Sequence, residues 1–313
     1  MNVRLVHVLS ENWTIADPRD LRGLVRMAVE AEEAGFDAVM LSEHVVLGRS
    51  ADVDGLMPNP REYALPGNQD PAMPWPSSLV LLSAIAAATT RLRLAAAAII
   101  APLRHPLLLA KDLATLDLLS GGRLVVLPTV SWHEEEYAAL GLPFEHRGRR
   151  LDEQLAAWQA AWGPSPATFE GGFYSFRDVW TEPKPFRPDG VRMWFGSSTL
   201  HDRLLRRMVR YGHGWNPLGR PSDEDVERLR AALVEVGRDP AGFELVGGTR
   251  GRFPDADSPA DLDEALATIP AQLARGFTSI CIKPSQFLDD RSRHAEWCRE
   301  VVRKADAMTV GDA

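Results

Sequence analysis

The chain has little cysteine: two in 313 residues, Cys281 inside an apolar strand-like run and Cys298 in a late helical one. That number neither builds a disulfide framework nor makes a spaced metal site, so a reducing cytoplasm is the expected setting. Long hydrophobic runs are missing too. The longest, "LAAAAIIAPL" at 94–103, covers about half a bilayer and contains a proline, so it reads as a core strand and no membrane span is expected. Positive charge is also short, with 35 Lys+Arg against 43 Asp+Glu and a formal net charge of -8. Such a surface does not attract nucleic acid or anionic membrane, and an anionic ligand needs a local pocket.

Several chemical motifs are absent. The stretch after the first strand-like run, "LSENWTIADP", has no glycine, which weighs against a dinucleotide-binding doubly wound sheet. Histidines stand singly at 7, 44, 105, 133, 146, 201, 213 and 294, with no H-x-x-x-H or H-E-x-x-H spacing, so no metal is expected. No G-x-S-x-G elbow offers a nucleophile. A cofactor would have to bring the hard chemistry. The N-terminal "MNVRLVHVLS" lacks the apolar segment of a signal peptide and reads as the first strand.

What is present is an alternation of β-rich apolar runs with amphipathic segments, the pattern of parallel strands joined by crossover helices. Eight runs qualify: 3–9, 37–43, 92–100, 123–129, 192–197, 213–217, 243–250 and 279–284. Eight strands predict one closed (β/α)8 TIM barrel over 1–313, a size common for that fold. "DLRGLVRMAVEAEEAG" predicts a helix with Leu21, Leu24, Val25, Ala28, Val29 and Ala31 on its buried face and Gly35 as its stop. Two segments exceed a minimal barrel. Residues 47–77 form a long Pro/Gly/Asp-rich loop after strand two, expected as a lid, with Pro58, Tyr63, Pro66, Met73 and Trp75 as its apolar lining. Residues 163–190 carry "TFE" and "FYSF" around Gly171-Gly172, a predicted hairpin before strand five.

Barrel chemistry gathers at the C-terminal ends of strands. Strand two ends in "LSEHVV", which places Glu43 and His44 there. Histidine exchanges a proton near neutral pH, but neighbours on a strand point to opposite faces, so one is a ligand group and the other its support. Strand four ends in Thr129, Val130, Ser131 and Trp132. Strand five ends in Gly196, Ser197 and Ser198 before a helix, which suits a phosphate and equally suits a plain N-cap by Ser198 or Thr199.

In this order the segments "AEEAGFDAVMLSEHVV", "ATTRLRLAAAAIIAPLRHPLLLAKDLATLDLLSGGRLVV", "EEEYAALGLPFEHRGRRLDE", "MWFGSS", "RYGHGWNP" and "GRDPAGFELV" resemble the bacterial luciferase-like superfamily of flavin- or deazaflavin-dependent oxidoreductases, over nearly the whole chain. "SEHVV" with its long proline-rich loop is most similar to the branch that uses coenzyme F420, since the flavin monooxygenases more often carry a second histidine where this chain has Val45. The resemblance implies that His44 lies at the reactive ring, that Ala96, Ala97 and Ala98 match a non-prolyl cis bulge against it, and that Gly196, Ser197 and Ser198 take the cofactor phosphate. It also implies a homodimer acting on a small organic substrate. One departure stands out. The family's "G-x-G-x-G-W" run reads Leu127-Pro128-Thr129-Val130-Ser131-Trp132 here, so three glycine positions carry side chains and a narrower ring pocket is expected. Three hypotheses follow: an F420-dependent oxidoreductase with Glu43 and His44 as the catalytic pair, an FMN-dependent monooxygenase using oxygen, and a non-catalytic descendant with altered cofactor binding.

Overall fold

Apolar runs buried on both faces can only be inner strands, and all eight form. The computed structural model describes residues 3–310, so 1–2 and 311–313 of the expected domain lie outside the described residues. The strands are β1 (Arg4–Val8), β2 (Ala38–Leu41), β3 (Arg93–Ile100), β4 (Leu124–Thr129), β5 (Ala167–Glu170), β6 (Ser175–Val179), β7 (Arg192–Phe195), β8 (Gly214–Trp215), β9 (Glu244–Gly248) and β10 (Ser279–Ile282). The helices are α1 (Leu21–Ala34), α2 (Ser78–Ala88), α3 (Pro106–Leu119), α4 (Glu134–Ala139), α5 (Arg147–Trp162), α6 (Asp202–Tyr211), α7 (Asp223–Glu235), α8 (Leu262–Leu266), α9 (Ile269–Ala274) and α10 (His294–Val310). Parallel pairing in the order β1-β10-β9-β8-β7-β4-β3-β2 closes a barrel, and β5-β6 is the predicted hairpin outside it. Among the described residues no helix is long and apolar enough to cross a membrane.

Alternation along each strand sorts side chains between lumen and helix layer. Val6, Val8, Ala38, Ala95, Ala97, Val125, Leu127, Trp194, Val246 and Cys281 pack together as the lumen. Their strand neighbours Val39, Leu41, Ala96, Ile99, Val126, Phe195 and Ile280 join the larger layer with the helices. In α1, Asp20 caps the start by accepting from Gly23 N–H, and Gly35 stops it at φ 106°. The buried face is Leu24, Met27, Ala28 and Ala31, while Leu21 is exposed and Val25 and Val29 half-buried. The face is rotated from the predicted one because Met27 completes the i, i+3, i+4, i+7 stripe.

His213, half-buried just before β8, illustrates a cost of this packing. Burial, with Arg192 and Arg238 nearby, brings its pKa down from 6.5 to about 4. Its Nδ1 accepts from Met193 N–H at 3.1 Å, a bond the protonated ring loses. The ring is neutral in both states above pH 6.5; as pH falls towards 4, only the unfolded chain takes the proton, so stability drops across that window by at most about 3 kcal/mol. Urea unfolding at about pH 7.5 and about pH 5 checks this: His213→Gln should lose less stability than the parent chain between the two, and equal losses would remove His213 from the effect.

Candidate active site

Strand β2 stops at Leu41, two residues earlier than the sequence suggested, and Ser42 N–H donates to the Ser10 hydroxyl at 2.7 Å instead of to a ladder partner. Glu43 and His44 then diverge. The Glu43 carboxylate turns outward and is engaged on all sides: both oxygens bind Arg104 (2.8 and 2.9 Å), Oε1 accepts Ile100 N–H at 2.9 Å, and Oε2 accepts the Ser78 hydroxyl at 3.2 Å. Its side chain is 2% exposed against 26% for Arg104. This is a correction to the expected pair, since the carboxylate does not reach His44.

His44 has another acid. Its Nδ1, fully enclosed, lies 3.5 Å from Glu136 Oε2, while Nε2 keeps the ring's polar access. Trp75 from the long loop and Trp132 from the end of β4 meet the imidazole edge-on, with centroids 5.2 and 6.0 Å away. Burial opposes charge on Glu136. Contact with His44, the Val45 N–H (2.6 Å) and the Ser131 hydroxyl (3.0 Å) nonetheless hold its carboxyl below the ordinary value. The start of α4 fastens the following chain as well: His133 Nε2 accepts Gly48 N–H at 2.7 Å, and Glu135 accepts the amide and hydroxyl of Ser50 at 2.9 and 3.0 Å. In the sequence, Glu136 stands out only as part of the resemblance segment "EEEYAALGLPFEHRGRRLDE". Three consecutive acids after a strand end were the available signal for Glu136.

Across the mouth, the Ala97–Ala98 peptide is cis, as the resemblance implied. The β3–β4 register jumps from Ala97↔Leu127 to Ile99↔Pro128, leaving Ala98 unpaired and packed against the lumen cluster; Ala96 lies on the opposite, helix-facing side. The three substituted glycine positions on β4 behave differently from one another. Leu127 sinks into the lumen beside Val125 and Trp194. Ser131 adopts φ 59°, the left-handed conformation a glycine would take, and its hydroxyl accepts His133 N–H as well as donating to Glu136. Thr129 alone brings a half-buried side chain to the lumen side of the rim, two residues beyond Leu127. Val130 packs outward against the helix layer, and its carbonyl accepts the Tyr137 hydroxyl.

Gly196 has no space for a side chain, because a Cβ would come 2.4 Å from the Asn216 carbonyl oxygen. Ser197 is half-buried and Ser198 exposed, and neither hydroxyl bonds to another described residue. The plain N-cap reading is overturned. Helix α6 begins at Asp202, and His201 caps it by accepting Leu204 N–H at 3.2 Å, because residues 199–201 remain non-helical.

The 47–77 segment crosses the mouth. Asn59 donates to the carbonyls of Asp255 and Ser258, Arg61 pairs with Asp289, and Glu11 accepts Ala64 N–H at 3.3 Å. Lys283, fully buried after β10, donates to the Glu62 carbonyl at 3.0 Å, lies 5.0 Å from the Tyr63 ring and 3.9 Å from Glu11. Burial pushes the Lys283 ammonium down and the Glu11 carboxyl up. Tyr63 packs on the lumen cluster with Met40 and Ala98, and Trp75 on His44. Pro58 and Pro66, expected in the lining, point to solvent. Glu11, Lys283, Arg104 and Glu136 were all missed from sequence. A separate cavity of about 310 Å³ at the opposite end, lined by Arg4, Arg93, Arg123, Arg192 and Trp194, sits at strand starts, where Glu244 already binds Arg93 through both oxygens (2.9 and 3.0 Å). Such ends serve stability in this architecture.

Eight parallel strands with a histidine, an acid and aromatic edges gathered at their C-terminal ends define a (β/α)8 barrel of the kind that works at its mouth. The chain belongs to the luciferase-like monooxygenase family, whose model matches residues 4–307. An uncharacterized Mycobacterium tuberculosis protein is 32% identical over 67% of this chain and 73% of its own. The FMNH(2)-dependent dimethylsulfone monooxygenase of Pseudomonas putida is 31% identical over 81% of this chain and 65% of its own. The F420-dependent glucose-6-phosphate dehydrogenase of Beutenbergia cavernae is 34% identical over 55% of this chain and 45% of its own. Among solved structures, monooxygenase RslO1 from Streptomyces bottropensis superposes with TM-score 0.71 at 19% identity over 96% of this chain and 98% of its own. An F420-dependent secondary alcohol dehydrogenase does so with TM-score 0.65 at 14% identity over 97% and 99%. At these identities the structural likeness speaks for the fold.

Proposed function

We propose that the protein is an oxidoreductase that binds coenzyme F420 at the barrel mouth and exchanges a hydride with a small organic substrate. The observation that carries this reading is the seating of His44: nearly buried, wedged between Trp75 and Trp132, with Glu136 behind Nδ1 and Nε2 left to the mouth. The residues fit such a ring. Gly196 keeps its wall free of a side chain, Ala98 forms an unpaired bulge, and the Ser197 and Ser198 hydroxyls remain for an anionic tail. Leu127 withdraws into the lumen, so the altered run narrows the mouth chiefly at Thr129.

The deazaflavin, when bound, supplies or accepts the hydride. The Glu136 carboxylate, 3.5 Å from Nδ1, favours the His44 proton on that nitrogen, which leaves the Nε2 lone pair to take a proton from a substrate hydroxyl or, once protonated, to return it. Val45 N–H and the Ser131 hydroxyl keep Glu136 ionised and in place. The tryptophan edges and Tyr63 exclude water. Glu43 acts through position, locking the strand end from which His44 projects. The missing second histidine at Val45, whose amide is taken by Glu136, favours the deazaflavin over FMN.

A second reading, an FMN-dependent monooxygenase, is favoured by the match to the dimethylsulfone enzyme over 81% of the chain. Oxygen consumption separates the two. Under the first reading, reduced F420 is oxidised by an organic acceptor in the absence of oxygen. Substrate-dependent oxygen uptake with reduced FMN, and no anaerobic turnover with F420, would overturn it. The protein is further proposed to act in the cytoplasm as a homodimer.

A further inference from the structure

On the outer face of β1, turned away from the mouth, His7 alternates with the lumen residues Val6 and Val8 and meets the final helix α10. His7 Nε2 lies 2.7 Å from His294 Nε2, and His294 Nε2 lies 3.6 Å from Cys298 Sγ. All three side chains are fully buried, and their ligand atoms lie within 4.8 Å of one another. On its other nitrogen, His294 Nδ1 is 2.5 Å from Glu30 Oε2, and Glu30 is gripped through both oxygens by Arg291 at 2.9 and 3.0 Å. Phe36 and Trp297 wall the group, with ring centroids 5.5 and 6.3 Å from that of His7.

We propose that His7, His294 and Cys298 bind one zinc ion, which fastens the last helix to the first strand. Three arguments support this. The donor set of two imidazoles and a thiolate is the borderline-soft mixture zinc favours. Tetrahedral zinc with ordinary bond lengths sets nitrogen and sulfur ligands about 3.6 Å apart and two nitrogens about 3.3 Å apart. The separation of His294 Nε2 from Cys298 Sγ matches as it stands, the imidazole pair must open by roughly 0.6 Å, and His7 Nε2, within 4.8 Å of that sulfur, must settle to the same spacing. A carboxylate on the far nitrogen of a ligating histidine is the usual outer partner that fixes its tautomer, and Glu30 occupies that place on His294.

Protons balance without a further reactant. Zinc displaces the Cys298 thiol proton to solvent. The proton shared by the two Nε2 atoms moves to His7 Nδ1, which has no partner but the residue's own backbone. The fourth position is left to a water or a small anion. The sequence signal is His294-x-x-x-Cys298, two ligands on one face of a helix, with the third 287 residues away on β1. A search for paired histidines passes over it. The site is separate from the mouth, so it stands or falls independently of the proposed reaction.

The test uses the whole protein stripped with a chelator and titrated with cobalt(II) as an optical probe, then with zinc. The wild type should bind about one equivalent with a thiolate-to-cobalt charge-transfer band, and zinc should abolish the band and raise Tm. Cys298→Ser should lose the band while keeping its circular dichroism, His7→Gln should weaken uptake, and His105→Gln on the surface should leave cobalt uptake and the band unchanged. A wild type that takes up less than about a tenth of an equivalent, or a Cys298→Ser protein that keeps the band, overturns the proposal.

Discussion

Replacing His44 by alanine should lower turnover by about 10²-fold or more while changing cofactor affinity by less than about threefold, the loss expected for removal of a general acid or base. The asymmetry follows from the surroundings. The imidazole is held by Glu136 and two tryptophan edges, so its removal leaves the Gly196–Ser198 segment and the Ala98 bulge unchanged. Glu136→Gln should give a smaller loss and shift the pH profile, because the amide still packs but carries no negative charge beside Nδ1. Single-turnover rates and cofactor titration on the same preparations separate the two quantities. Unchanged turnover in His44→Ala would remove the ring from the chemistry.

Replacing Arg104 by alanine acts on the fold. The variant leaves the Glu43 carboxylate, 2% exposed, with only the Ile100 amide and the Ser78 hydroxyl for partners. Breaking a buried pair from one side costs about 3–5 kcal/mol when the remaining charge stays enclosed. Arg104 is about a quarter exposed and water can partly replace it, so the lower end applies. In a chain of this size that lowers Tm by about 4–5 °C. Glu43→Gln, which removes the charge with little change of volume, should cost less than Arg104→Ala. A thermal melt with both variants unshifted would return Glu43 to candidacy as a catalytic group.

Much of this architecture was legible because each barrel strand is buried on both faces and its apolar run stands out from the helical pattern around it. The ends were less so. Strand β2 gives way at Ser42 to a serine hydroxyl contact, and β8 shrinks to Gly214–Trp215 within the longer expected run. Alternation along the strand required Glu43 and His44 to diverge, and the two side chains do find different partners, Arg104 and Glu136. It could not tell which partner each would find, since Arg104 is 61 residues from Glu43 and the pairing of β2 with β3 brings them together. Glu11 and Lys283 are likewise placed side by side only when β1 meets β10. From sequence, the altered run shows only that three glycine positions carry side chains. Backbone conformation distinguished them: Leu127 turns into the lumen, Ser131 keeps the glycine-like φ, and Thr129 remains at the rim.

The central claim, that the mouth beside His44 still admits a deazaflavin, is tested most directly by titrating the purified protein with F420 and with FMN and following tryptophan fluorescence. Trp75 and Trp132 border the site and should report the ring. F420 should quench with a Kd in the micromolar range, about 8 kcal/mol of binding free energy, and more tightly than FMN. If neither cofactor binds below about millimolar, where that free energy falls to about 4 kcal/mol, the non-catalytic descendant becomes the better account of this chain.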